Sequence, residues 1–248
     1  MLRIVALLAA LTVATPPALA DTVRDCASDD HDVAIPACTL LINQNPRNAT
    51  AHFNRGISYR ATGKPDMAMA DYSRAIEIRP SYFEAYNNRG NLYMARGDNK
   101  RALQEFDAAI KINPKYAIAH NNRGEAFENM NMLDDAMAAY NRAISFNPRY
   151  ARAIANRGDI WRKMNQRANA IADYRDALTI NRKNALALAG LKTLGITTDA
   201  DGQLATLPHD RTQVASTTGP SREKAGSTGG RDDEDRRLPE PQHRDQTR

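Results

Sequence analysis

The chain has 248 residues, 42% of them hydrophobic and 25% charged, with a formal net charge of +5. Its 34 basic residues are interspersed with 29 acids, which excludes the clustered basic stripe of a nucleic-acid-binding domain. The mild basic excess still allows a weak attraction to anionic envelope components.

In chain order, the first twenty residues come first. Met1, Leu2 and Arg3 precede an apolar run from Ile4 to Ala14, and Ala18-Leu19-Ala20 stands before Asp21. These are the parts of a cleavable secretory signal, expected over residues 1–20, and the run is short for a membrane anchor. Export places the mature chain outside the cytoplasm, in the periplasm if the source is a Gram-negative bacterium. No later segment is apolar enough to span a bilayer.

Cys26 and Cys38, the only cysteines, follow directly. An oxidising compartment lets a nearby pair keep a disulfide. The spacing is unlike a redox C-x-x-C, and no histidines complete a zinc set, so a structural staple is expected.

From residue 49 the sequence repeats. Asn54, Asn88, Asn122 and Asn156, and with them Gly56, Gly90, Gly124 and Gly158, recur every 34 residues. In the same register come Tyr59, Tyr93, Phe127 and Trp161, then Ala68, Ala102, Ala136 and Ala170. Tyr72, Phe106, Tyr140 and Tyr174 follow, then Ala75, Ala109, Ala143 and Ala177, and finally Pro80, Pro114 and Pro148. Within a unit, Tyr86, Gly90 and Tyr93 share one helix face, and Ala102, Phe106 and Ala109 share another. Gly63, Gly97, Asn131 and Asn165 stand between the two predicted helices, where a left-handed residue ends the first.

This pattern closely resembles the tetratricopeptide repeat family over residues 49 to 184. The resemblance implies an all-α fold, a right-handed superhelical α-solenoid of helix-turn-helix repeats with capping helices. The expected units are 49–82, 83–116, 117–150 and 151–184. Residues 34–46 align with the second half of a unit, so 21–48 are expected to form a disulfide-stapled half-repeat cap with one helix, Cys38 standing at the aromatic position. Residues 185–195 form a C-terminal capping helix ended by Gly195. From Ile196 to Arg248 the apolar content is too low to offset chain entropy, and a disordered tail is expected.

No catalytic constellation, cofactor motif or metal-ligand set is legible, so the chain is expected to be non-catalytic, with no cofactor. His52 and His120 occupy the large packing position that Tyr86 and Ile154 hold in the other units. Binding is better supported. The resemblance implies a concave groove lined by the second, fifth, sixth, ninth and twelfth places of each unit. Its candidate peptide-binding residues are Asn54, Asn87, Asn88, Asn91, Asn121, Asn122, Glu125, Arg152 and Asn156. A side-chain amide offers a donor and an acceptor, so a row of asparagines can follow a partner's backbone. The same asparagines can instead serve the fold by bridging neighbouring helices. A lysine-based clamp for a C-terminal carboxylate is not expected, because the fifth places carry Phe53, Asn87, Asn121 and Ala155.

Arg55, Arg89, Arg123 and Arg157 stand sixteen residues before Asp71, Glu105, Ala139 and Asp173, which suggests an ion pair across each helix pair. The expected function is a protein-protein or peptide-binding scaffold. The alternatives are a binder of anionic envelope polymers and an accessory subunit of an envelope enzyme complex.

Overall fold

The computed structural model describes residues 17–197. The segment 1–16, with most of the expected signal, and the tail from 198 onward lie outside the described residues. Among the described residues there are eleven helices and no strands. They are α1 (Pro17–Cys26), α2 (His31–Gln44), α3 (Ala49–Ala61), α4 (Pro65–Ile78), α5 (Phe83–Ala95), α6 (Asn99–Ile112), α7 (Ala117–Asn129), α8 (Leu133–Phe146), α9 (Ala151–Lys163), α10 (Arg167–Ile180) and α11 (Ala185–Thr193). Each helix packs on its sequence neighbours, which makes the array an all-α solenoid. None of these helices is long and apolar enough to cross a membrane.

Local chemistry sets the helix pairs. The four residues between paired helices named above are left-handed: φ is +73° at Gly63 and +79° at Gly97, 58° at Asn131 and 60° at Asn165. The next residue closes each turn by donating its N–H five residues back, as from Lys64 to the Tyr59 carbonyl at 2.8 Å. Gly195 repeats the device after α11, with φ +72°.

Each helix pair then meets at a glycine. A Cβ on Gly90 would stand 2.6 Å from the Phe106 ring, and one on Gly124 would stand 2.5 Å from the Tyr140 ring. Gly56 and Gly158 meet Tyr72 and Tyr174 in the same way. The four aromatic rings are fully buried, so the glycines admit the rings that fill the space between paired helices.

The arginines add polar bonds between second helices. Arg55, Arg89 and Arg157 form two-point pairs with Asp71, Glu105 and Asp173 on the second helix of their own unit. A further Nη1 donates backward to the preceding unit, to Thr39, Ser73 and Asn141 respectively. Each arginine therefore joins three helices, a role its spacing to one carboxylate did not reveal. In the third unit Ala139 leaves no carboxylate, so Arg123 pairs with Asp107 of α6, and its buried Nε is unpartnered. Ala139→Asp is expected to supply the missing acceptor and to add about 1 kcal/mol. That would raise the melting midpoint by roughly 2–4 °C, with Ala139→Asn gaining less.

Two expectations at the ends need correction. The N-terminal cap is a helix pair rather than a single helix: α1 packs on α2, and Cys26 is bonded to Cys38. Helix α1 begins at Pro17, so it runs across the expected cleavage point after Ala20. It has no glycine–aromatic pair to mark it, and Cys26 is its buried anchor. Ile196, assigned above to the tail, is buried against Leu191 and donates its N–H to the Leu191 carbonyl. A lone apolar residue after Gly195 carries no periodicity, so the sequence hid this contact.

Candidate functional site

Neighbouring first helices touch one another, α5 with α7 and α7 with α9, and they form the inner side of the stack. Sequence places five, six, nine and twelve of each unit project along this side. The structure divides the candidate asparagines into two groups.

Asn87, Asn121, Asn122 and Asn156 are buried rather than lying on an open floor. Asn122 donates to Asn87 Oδ1 at 2.9 Å, and Asn156 donates to Asn121 Oδ1 at 3.0 Å. The rule is a sixth-place amide reaching the fifth-place amide of the unit before. Asn121 and Asn156 also donate to Glu125 Oε1, and Glu125 is held from outside by Arg152 at 2.8 Å. These amides satisfy each other between helices, which is the structural use of the asparagine row.

The series breaks at its N-terminal end. The fifth place of the first unit is Phe53, so Asn88 finds no amide there, and its own bond is a long 3.4 Å acceptance from Asn87. Asn54 reaches only the Cys26 sulfur, at 4.0 Å. Asn91 bonds to no described residue, and all three are half-buried. A shallow cavity of about 120 Å³ lies beside Asn54 alone of the three, lined also by Ile57, His31, Asp29 and Cys26 among others. The His31 Nδ1 is buried and unpartnered.

Charge differs along the same side. In the fourth unit, Tyr174 Oη donates to Asp159 at 3.2 Å, and Arg162 donates to the same carboxylate oxygen at 2.7 Å. Burial alone would raise the Asp159 carboxyl, but Arg162 and Lys163 outweigh it and hold it below the usual range. Burial, then Asp159, pushes the Tyr174 hydroxyl up to about 12, so it remains a donor. In the third unit Tyr140 Oη donates to Glu128 at 2.7 Å, and Lys163 pairs with that carboxylate. Sequence reading missed these tyrosine hydroxyls. The available signal was Phe106, the one ring of the four without a hydroxyl, in a unit whose ninth and twelfth places, Asn91 and Met94, are uncharged.

His120 is buried, and its Nε2 lies 2.9 Å from the Pro114 carbonyl, leaving Nδ1 unpartnered. Burial lowers its pKa, with Arg123 and Arg142 adding to the effect against Pro114 and Asp107. The folded state therefore holds His120 neutral where the unfolded chain binds a proton. Its stabilising contribution is present above the unfolded value of 6.5 and is lost as pH falls through the lower folded value. Melting midpoints measured from pH 7.5 to 5 should fall more steeply for the parent than for His120→Tyr, which borrows the residue of the preceding unit. Among the described residues no cluster of His, Cys, Asp and Glu could hold a metal ion.

Comparison with known proteins agrees with this architecture. A family model described as TPR repeat matches residues 58–95 and 90–131, and models described as Tetratricopeptide repeat match 117–150 and 151–184. No curated protein matches the chain. A crystal structure of MamA is 26% identical, with a TM-score of 0.55, over 63% of this chain and 91% of that one. YrrB, described as a TPR protein with an unusual peptide-binding site, is 20% identical at a TM-score of 0.56, over 70% and 90% of the two chains. PilF of Pseudomonas aeruginosa is 16% identical at a TM-score of 0.63, over 71% and 82%. The last two likenesses concern the fold alone. With family models matching over residues 58–184 and a glycine–aromatic contact in each helix pair, the chain belongs to the tetratricopeptide repeat family.

Proposed function

We propose that the chain is an exported, non-catalytic scaffold that takes an extended peptide or protein segment along its first-helix face, in the periplasm if the source is Gram-negative. The observation that carries this reading is the uneven satisfaction of that face. The third and fourth units have closed their polar groups on each other, whereas Asn54, Asn88 and Asn91 keep donors and acceptors beside half-buried Phe53, Ile57 and Met94. Amides set among apolar side chains suit a main chain with alternating side chains. The peptide-binding site named for YrrB is compatible with such a use of the fold.

A binder of anionic polymers has less support, because Arg55, Arg89, Arg123, Arg152, Arg157 and Arg162 are all paired with carboxylates. Selection of a displayed random-peptide library on the immobilised full chain tests the proposal. Recovered peptides should lose binding to Asn88→Ala and Asn91→Ala variants that melt like the parent. Peptides indifferent to both changes would overturn the assignment of the face.

A further inference from the structure

A stack of helix pairs has two long edges, and here they differ in chemistry. Paired helices joined by short turns run antiparallel, so the turns within units fall on one edge and the loops between units on the other. Contacts near successive loops hold the second edge together. The Phe83 and Tyr116 rings lie 4.8 Å apart, Phe146 lies 5.3 Å from the His120 ring, and Asn184 donates to the Ala151 carbonyl at 3.4 Å.

Along that edge, residues 110–118, 144–152 and 178–186 contain no Asp or Glu. Among the described residues, the one ion pair made from these segments joins Arg152 to Glu125. Lys111, Lys115, Arg149, Arg182 and Lys183 are exposed there and make none. The same three segments also expose large apolar side chains, with Ile112, Ile118, Phe146 and Leu186 each more than a third exposed. The opposite edge is unlike it. Asp66, Asp98, Asp134 and Asp135 stand at the turns within units, and Arg96 and Arg101 are neutralised by the first two. Its exposed apolar side chains, Met67 and Met132, therefore sit among acids.

Unpaired cations alone suit any polyanion. Exposed isoleucine, phenylalanine and leucine between them contribute little to holding a dissolved polymer, whereas a lipid surface takes both: headgroup phosphates attract the cations, and the acyl boundary accepts the apolar side chains. Lysine and arginine stems lie along such a boundary while their charges stay at headgroup level. We propose that the loop edge from the second unit to the C-terminal cap rests on an anionic lipid surface. The helices then stand end-on to the bilayer, and the first-helix face remains open to its peptide. The contact is independent of that peptide, because it uses neither the groove asparagines nor the seam arginines.

The test uses the chain as purified from its producing cell, with vesicles of phosphatidylcholine alone or with a third of the lipid as phosphatidylglycerol. An environment-sensitive fluorophore is attached to the thiol of Ser145→Cys, beside Phe146, or of Asn129→Cys on the opposite edge; both positions are exposed. The label reports which edge touches lipid, whatever the rest of the chain does. Vesicles with phosphatidylglycerol should shift the emission of the first label to the blue and leave the second unchanged, and phosphatidylcholine alone should shift neither. Lys115→Gln/Arg149→Gln should weaken binding by about 25-fold, about fivefold for each cation at a charged surface. Lys111→Gln/Lys183→Gln repeats this on other helices, should the first pair disturb folding. Ile112→Ser/Leu186→Ser keeps every charge and should also weaken binding, while Lys64→Gln/Lys100→Gln on the opposite edge should not.

No shift at position 145, equal shifts at both positions, equal shifts with the two kinds of vesicle, or binding indifferent to the glutamine variants would overturn the assignment. Full binding by the serine variant would overturn it as well, and release by soluble polyphosphate would then identify a dissolved polyanion as the partner. None of these outcomes touches the peptide-binding reading, which is judged by the library peptides and Asn88→Ala.

Discussion

Tyr140→Ala is expected to lower the free energy of unfolding by about 3–5 kcal/mol, the cost of emptying a fully buried aromatic site. Gly124→Ala attacks the same contact from the other helix. Its new Cβ would fall 2.5 Å from the Tyr140 ring, so the helices must part or the ring must turn. Overpacking of this kind costs about 1–3 kcal/mol. It acts against the gain of about 1 kcal/mol that alanine brings to a helix over glycine. Urea unfolding of both variants and of Gly124→Ala/Tyr140→Leu measures the coupling. The double variant should lose less than the sum of its parts, since the smaller side chain makes room for the methyl. A Gly124→Ala protein more stable than the parent would show that the glycine is not there for the ring.

Asn121→Ala should be the costliest of the asparagine changes. Asn121 is fully buried, accepts from Asn156 and donates to Glu125 and Asn122. Its removal leaves groups on three neighbours short of a partner, and each buried orphan costs about 1–3 kcal/mol. A total loss of about 2–4 kcal/mol is expected, because Asn156 retains Glu125 as a second acceptor. Asn88→Ala should stay within about 0.5 kcal/mol of the parent, as for other substitutions that break no buried network. Thermal and urea unfolding of the two variants side by side therefore separate the asparagines that hold the stack from those left for a ligand. Similar losses in both would refute that division.

The difference between these asparagines also shows where sequence reading reached its limit. The 34-residue register located the paired helices, and the residue type at each turn announced its left-handed backbone. Glycine and aromatic at fixed offsets foretold the close contact, because few other residues allow it. Whether a sixth-place amide lies open or closed depends instead on its neighbour in the preceding unit. Asn122 meets Asn87 and is buried, whereas Asn88 meets Phe53 and keeps its donors. That relation spans 35 residues, one step off the repeat, and a reading in register passes over it. The second bond of each seam arginine and the tyrosine–carboxylate sets were hidden for the same reason, since they join different places of the repeat.

The central claim is that the first-helix face is the working face. Its most direct test is a photo-reactive amino acid placed at Met94, on that face, or at Arg74, exposed on α4, in the full chain within the producing cell. Illumination should give discrete cross-linked partners from position 94 and none from position 74. Adducts from position 74 alone, or the same adducts from both, would contradict the claim.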